Sequence, residues 1–600
     1  MILFLLLASI IGFLIFIAIR IGLHQRLPLA LSPISLELIP DRAANKYGDK
    51  PLFTIDRPCL WEVPAHGHSY KDPLVWSAKR IKSTAGILAY LFKHQFRLEY
   101  GERVAIFKQN HFDIHLFMLS IIRAGGIACP INGKLTIKDF EHYLANLSAT
   151  ILLTDSAAIF RLLQSNMHFG SCRKIIIAEK RTLLSANDYA DLEEQIARKY
   201  PFIQIFWLEE ELTAINKEMQ AVPRGKDDPL YLVHSSGTTG FPKAVILKNG
   251  PQSHAVRGWL CYVPVSRTLD KGFLAVPNNH QAVILSFNSL LLLGIPTHWS
   301  SSYDHLDFEA EDVMQALSEG KYTGYFGFPV TYTQLKEVPA DKFDLSSMRF
   351  WASTADASHE VIQRKFVAIG NAFKAVNLPL KGSIFLDAQG SSEVGTPSVI
   401  RYITIYTKKF ERRIRKIGST PFGPQIRIVN ENGEKVKRGE VGKLEVKGKT
   451  VFDGYWNNHA LTYQAIHDKW FFTGDVALLE KDGNLIQLDR LVDVIHTSYG
   501  DVYSLLIEEK IHKHPAVYDV CVYAHKQSNG TYMPAIVAAL KKDYSINNSD
   551  LLYEFNQLLD EDEKLCCCEI MKWSDFPIGV TGKTLKRVFR YRSEQILQSL

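Results

Sequence analysis

No Cys-x-x-Cys pair occurs anywhere in the chain. The eight cysteines stand at 59, 129, 172, 261, 521, 566, 567 and 568, the last three consecutive. That spacing suits neither a disulfide framework nor a zinc site and favours a reducing compartment. Cys566-Cys567-Cys568 reads as a buried strand. An excess of charge is lacking too. Against 63 acidic residues there are 69 basic ones, a formal +6 that is small for 600 residues. No helix-turn-helix, zinc-finger or aromatic–basic pattern points to nucleic acid. No tract is biased enough for disorder, and no internal repeat is evident. A chain this long exceeds one core, so two or more domains are expected.

Long apolar runs are few. Ile2 to Ile19 carry no charge and are apolar apart from Ser9 and Gly12. As a helix this run reaches ~27 Å, near the ~30 Å hydrocarbon core of a bilayer. A cleaved signal peptide wants a basic stretch before the apolar run and a small-x-small site after it. Here the basic residues, Arg20 and Arg26, follow the run. The expectation is a retained single-pass transmembrane helix over residues 1–23, with residues 20–600 cytoplasmic by the positive-inside rule; a cleaved signal peptide and a helix lying on the membrane are the alternatives. The other long run, Ala282–Ile295, is short and holds Ser286, Asn288 and Ser289, which marks a buried core helix.

Ser235, Ser236, Gly237, Thr238, Thr239 and Gly240, closed by Lys243, form a loop suited to phosphate. Glycines let backbone N–H groups approach an anion, hydroxyls donate, and lysine adds positive charge. The apolar Leu230–Val233 before it reads as a strand, so the loop leaves a sheet edge. It is not a Walker A loop, which needs glycine, four residues, then Gly-Lys-Ser/Thr. Only Gly582-Lys583-Thr584 offers that ending, and Pro577 stands where the first glycine belongs. Leu232–Val245 instead closely resembles the signature loop of the adenylate-forming superfamily: acyl-CoA synthetases, nonribosomal peptide synthetase adenylation domains and beetle luciferases.

Other segments carry the resemblance onward. Asp387-Ala-Gln-Gly-Ser-Ser-Glu-Val-Gly395 is similar to the superfamily's Tyr-Gly-x-Thr-Glu motif. It implies Gln389, Gly390, Ser391 and Ser392 at the nucleotide, Ser392 on the α-phosphate, and Glu393 as the Mg²⁺ ligand, a hard oxygen donor. Phe350-Trp-Ala-Ser-Thr-Ala355 resembles the adenine-binding stretch, with Ser353-Thr354-Ala355 in place of a glycine-rich turn. Phe471-Phe-Thr-Gly-Asp475 implies a carboxylate on the ribose hydroxyls. Asp489-Arg490 occupies the place of Gly-Arg, so Arg490 would contact phosphate or ribose. Pro577-Ile-Gly-Val-Thr-Gly-Lys583 resembles the last motif, whose lysine bridges carboxylate and α-phosphate. Lys583, Glu393 and Thr238 are thus the expected catalytic residues. Tyr325-Phe326-Gly327 matches a pocket strand. His280 stands where the family has a pocket histidine, and a structural histidine fits equally well.

The resemblance spans roughly residues 40 to 590 and implies an α/β fold. Helix and strand alternate through residue 400, as in His111–Ala124 followed by Ile127–Ile131, which favours parallel sheets covered by helices. Gly418–Gly448 reads as a compact antiparallel unit. The expected division is an anchor (1–23), a large AMP-binding domain (24–490) and a small mobile α+β domain (491–600). Two places depart from the family. Val492 replaces a polar hinge residue, and Ser498-Tyr499 replaces a Gly-Gly pair beside the pantetheine tunnel, with Ser504 for a common proline. The function implied is a membrane-anchored acyl-CoA synthetase for a medium- or long-chain fatty acid, using ATP, Mg²⁺ and CoA. Fatty-acid transport proteins carry comparable N-terminal spans. Two alternatives stand beside it: a ligase passing its adenylate to an acyl carrier protein, and a non-catalytic membrane lipid-binding scaffold.

Overall fold

The computed structural model describes residues 2–62, 72–215, 217–235, 241–303, 307–378, 380–407, 415–416, 423–579 and 582–599. Two large sheets dominate. In one, six parallel strands run in the order Ile384–Gln389, Phe350–Ser353, Gly324–Gly327, Gly272–Ala275, Thr297–Ser300 and Pro51–Ile55. An antiparallel strand closes each edge, Val399–Ile403 at one end and Val75–Ser77 at the other. The second sheet is again parallel, save for the antiparallel edge strand Ala244–Lys248 paired with Pro229–His234. The hairpin between those two strands carries the candidate phosphate loop at the sheet edge, as its flanking apolar run implies.

Strands buried on both faces need helices above and below, and their near-continuous apolar runs reflect it. The helices Asp113–Arg123 and Gln281–Leu293 are buried almost throughout and share one core with strands of both sheets. A helix apolar all round belongs in such an interior. His115 and Phe287 fasten the pair, their rings stacked 4.3 Å apart. The first of these helices begins at Asp113 rather than at His111, because Asp113 is tied down by Lys108 (2.8 Å) and the Trp61 indole (2.8 Å).

An antiparallel sheet follows, with Gln425–Val429 paired to Val441–Lys447 and that strand to Trp470–Leu479, then Asn484–Arg490. Beyond Leu491 the chain builds a separate core on the strands Val517–Lys526, Tyr532–Leu540 and Cys568–Ile570. That last strand begins only at the third cysteine of the triplet; Cys566 and Cys567 are half-buried ahead of it.

The N-terminal run matches its expectation only in part. A helix spans Ile2–Arg20. Among the described residues, however, no single helix is long and apolar enough to cross a membrane. Ile11–Arg20 and Leu23–Leu31 reach that measure only together, bent by 76°. Gly22 makes the bend at φ 74°, where a Cβ would lie 2.7 Å from the carbonyl oxygen of Val265. Arg26 is 2% exposed and donates to the carbonyls of Leu260 (2.7 Å) and Ile21 (3.3 Å). It is therefore part of the folded body, not a free charge flanking a span.

Candidate active site

Four parallel strands of the first sheet lie in register, with Ala275 beside Gly327 and Ser353 beside Asp387. The loops leaving their carboxyl ends converge, which is where open α/β sheets bind ligands. An apolar cavity of ≈ 1250 Å³, including its open mouth, runs back along these strands from the loops. Trp259, Tyr262, Leu285, Tyr325, Phe326 and Ile400 are among its walls. Phe326 faces the cavity as expected. Gly327 packs instead on its neighbours, since a Cβ there would lie 2.3 Å from the Thr331 hydroxyl.

A second, polar cavity opens at the same strand ends. Ser235, Lys243, Ser392, Glu393, Tyr455, Arg490 and Lys583 border it. His280, Ala355, Gly390 and Ser391 border both cavities, so the two are contiguous. Asp475, Gln389 and Lys583 also line a cleft between the large body and the C-terminal unit.

The expected residues Ser236, Gly237, Thr238, Thr239 and Gly240 lie outside the described residues. The ends of their loop are clamped, because Ser235 N–H donates to the carbonyl of Lys243 at 3.0 Å. Lys243 holds its ammonium 5.5 Å from the Tyr455 ring centre.

Glu393 is 7% exposed, and its Oε1 accepts from the Tyr455 hydroxyl at 3.0 Å. Burial and the Glu393 charge together push the Tyr455 phenol well above its ordinary pKa, so it stays a donor. Asp475 accepts from Gln487 (3.0 Å) and Arg490 (3.0 Å). The Asp475 charge, against the opposing effect of burial, raises the Arg490 pKa. Gly474, at φ 81°, admits the guanidinium; a Cβ there would stand 3.2 Å from its Nη2.

Thr354 donates to the carbonyl of Ala388 at 2.7 Å and so pins the adjacent strand ends together. Ala355 follows with φ 78°, the left-handed conformation a glycine would take without strain. His280 caps the helix Gln281–Leu293 by accepting from Ala282 N–H at 3.2 Å and also borders both cavities. Burial, with the Lys583 and His234 charges adding to it, lowers its pKa to about 3 and keeps it neutral.

Lys583 comes from the C-terminal unit. Gly579 N–H donates to the carbonyl of Lys583 at 2.7 Å and closes its loop. Gly582, at φ 77°, rests on Val330 of the large body, where a Cβ would lie 2.7 Å from Val330 Cγ1. The ammonium sits 3.9 Å from Asp356. Burial lowers its pKa, with Arg490 adding to the effect and Asp356 opposing it.

Sequence reasoning passed over Tyr455, Asp356, Gln487 and His234 as site residues. Two were close to visible. Tyr455 opens the Tyr455-Trp456 pair and bridges Val245 just past the loop, and His234 ends the strand leading into it. Asp356 and Gln487 enter only through folding.

Several buried polar atoms here have no partner among the described residues: the Ser353 and Ser391 hydroxyls, Gln389 Oε1 and Arg490 Nε. Buried polar groups are nearly always satisfied, so a polar ligand with donors and acceptors fits this wall. Glu393, with one oxygen held by Tyr455, fits a hard divalent cation.

Over residues 42–456, more than half its length, the chain matches the AMP-binding enzyme family. It is an AMP-binding enzyme. Among its relatives, a 3-aminoavenalumate diazotase from Streptomyces sp is 27% identical over 418 residues, 68% of this chain and 66% of that protein. The chain thus spans just under two thirds of that relative. A long-chain-fatty-acid–CoA ligase from Haemophilus influenzae is 25% identical over 541 residues, 86% of this chain and 90% of the relative. A crystal structure of an anthranilate CoA ligase in complex with anthranoyl-AMP aligns over 95% of this chain and 100% of that one. Its TM-score is 0.73 at 18% identity, a likeness of fold.

Proposed function

We propose that this AMP-binding enzyme activates a medium- or long-chain fatty acid and transfers it to CoA. The observation that carries the reading is the contiguity of a long apolar cavity with a polar one at His280, Ala355, Gly390 and Ser391. An acid whose tail fills the first presents its carboxylate to the second. The carboxylate oxygen attacks the α-phosphorus of ATP, the bond to the β-phosphate oxygen breaks, and pyrophosphate leaves with its electron pair. In the second step a CoA thiolate attacks the acyl carbon and AMP departs.

Two anions must meet in the first step, so fixed positive charge is the main requirement. Lys583, buried beside Asp356, supplies it where carboxylate and α-phosphate join. Arg490, steadied by Asp475, supports ribose and phosphate. Serines 353, 391 and 392, with the loop of Thr238, donate to the nucleotide, while Thr354 holds the strand ends beside it. Glu393 would hold Mg²⁺, which neutralises the triphosphate charge when bound. Neutral His280 separates tail from nucleotide without adding charge. The chain divides at residue 491 into a large body and a small unit that brings Lys583. Its first helix tethers it to a membrane, with the enzyme on the cytoplasmic side.

One observation favours a second acceptor. Tyr499 is 85% exposed on the hairpin that occupies the family's thiol-tunnel segment, which suits transfer to a carrier-protein phosphopantetheine. The test is hydroxylamine-trapped adenylation with ATP and Mg²⁺ against acids from hexanoic to tetracosanoic, with and without CoA. Hydroxamate lost in Lys583→Ala, with acyl-CoA formed when CoA is added, supports the synthetase. Hydroxamate without acyl-CoA moves the acceptor to a carrier protein. Fatty-acid binding with no ATP consumed means a non-catalytic scaffold.

A further inference from the structure

The far end of the apolar cavity and the N-terminal helix are built on the same few residues. Val263 and Val265 line the cavity while remaining half-buried, so they reach the outer surface as well. Gly22, at the foot of the helix Ile2–Arg20, packs directly on Val265 and Ser266. Arg26 then ties the two elements together. Its guanidinium donates to the Ile21 carbonyl, just past the first helix, and to the Leu260 and Cys261 carbonyls at the end of the helix Asn249–Tyr262. Positive charge at two helix carboxyl ends is favourable. Tyr262, the last residue of that helix, also lines the cavity.

The opposite lip repeats the arrangement. In the strand Val399–Ile403, Ile400 lines the cavity, and Tyr402, two residues on and thus on the same face, is 42% exposed. The Tyr402 hydroxyl donates to the carbonyl of Tyr262. Apolar side chains are exposed on this side of the molecule, beside the exposed Arg267 and the cavity-lining Lys271. Ile11, Phe13, Leu14, Ile15 and Ile19 of the first helix are each 46–58% exposed, as are Leu31 (65%) and Tyr406 (56%) nearby. The first helix lies against the turn Ala372–Val376, whose Phe373 meets the Tyr406 ring at 6.3 Å. Contiguous exposed apolar surface marks an interaction site, and tyrosines suit a membrane–water interface.

We infer that the bend at Ile21–Gly22 seats this lip on a phospholipid surface, so that the acid's tail passes from lipid into the cavity through the end remote from ATP. The inference rests on the membrane-tethered fatty-acid reading and adds to it an entrance. A rigid junction fixes the mouth relative to the lipid, which a flexible tether would not do.

The test uses the full chain and vesicles of phosphatidylcholine and phosphatidylglycerol. A flexible Gly-Ser segment inserted between Ile21 and Gly22 leaves the helix and Arg26 in place but frees one from the other. Palmitic acid is supplied in the vesicles and hexanoic acid from water. The expected result is unchanged vesicle co-sedimentation, unchanged kcat and unchanged hexanoate kinetics. KM for vesicle-held palmitate rises about tenfold, the loss expected when a fixed local concentration is released. A full-length Leu14→Lys, Ile15→Lys variant should lose sedimentation itself. Unchanged palmitate KM with sedimentation intact overturns the entrance and leaves the tether standing. Wild-type protein that fails to sediment overturns the tether, and with it the entrance. Wild-type protein that releases no pyrophosphate with either acid overturns the synthetase reading instead.

Discussion

The Tyr455 hydroxyl donates to Oε1 of Glu393 at 3.0 Å, so the residue expected to bear Mg²⁺ is itself held by a group from another connection, ahead of the helix His459–Ala465. A hydrogen bond to a carboxylate is worth about 1.5–3 kcal/mol. Tyr455→Phe should therefore raise the Mg²⁺ concentration needed for half-maximal pyrophosphate release by about tenfold or more, at one factor of ten per ~1.4 kcal/mol. An unchanged Mg²⁺ titration would remove Tyr455 from the site.

Lys583 must be charged to bridge carboxylate and phosphate, yet burial lowers its pKa below the ordinary 10.5. Adenylation should then fall on the alkaline side earlier than a free lysine would titrate. Lys583→Arg, always protonated, should flatten that fall even if its rate is lower. Lys583→Ala should lose adenylation by about 10²-fold or more. The same variant should still pass acyl groups from synthetic acyl-adenylate to CoA, measured by acyl-CoA formation.

His359 joins the large body to the C-terminal unit, its Nδ1 lying 3.0 Å from Glu509 and its ring 4.2 Å from that of His512. Burial depresses the imidazole pKa, but hydrogen bonding and charge from Glu509, then Glu508 and Asp519, outweigh it and leave it raised. His512 is lowered, by burial first and then by His359 and Lys336. A group whose pKa is raised by the contact stabilises that contact fully below its ordinary value, about 6.5. It loses the contribution as pH rises through the raised value. The two units should therefore part more readily at alkaline pH, and His359→Gln should abolish that dependence. Limited proteolysis at Leu491–Asp493, followed across about pH 6–9, measures it.

Tyr499 projects from a hairpin formed by Ile495–Thr497 and Gly500–Val502 and is 85% exposed there. Tyr499→Gly should leave hydroxamate formation unchanged and increase acyl transfer to free CoA several-fold. A fall in both steps would show that the tyrosine supports the fold of the hairpin rather than guarding an acceptor path.

Local chemistry made much of this legible in the chain. Pro229–His234 could be read as a strand because its apolar run ends at a dense polar loop, and the antiparallel pair Gln425–Val429 and Val441–Lys447 because glycine turns punctuate alternation. The Ser353-Thr354-Ala355 turn was located although it lacks glycine, and the positive φ of Ala355 shows the backbone keeping a glycine's shape under another side chain. What stayed hidden depends on distance along the chain. Asp356 and Lys583 lie 227 positions apart and meet only when two separately cored units come together. The partners of Arg26 were hidden for the same reason, since the carbonyls of Leu260 and Cys261 lie more than two hundred positions away.

That single guanidinium also decides where the protein can be cut. A truncation guided by hydropathy would remove everything through Leu31 and strip the carbonyls of Leu260 and Cys261 of their donor, beside a wall of the acid cavity. Removing only residues 1–20 keeps Gly22 and Arg26 where they are. The usable boundary between the first helix and the folded body therefore falls at Ile21, and a form begun there should retain a binding cavity that one begun at Ser32 loses.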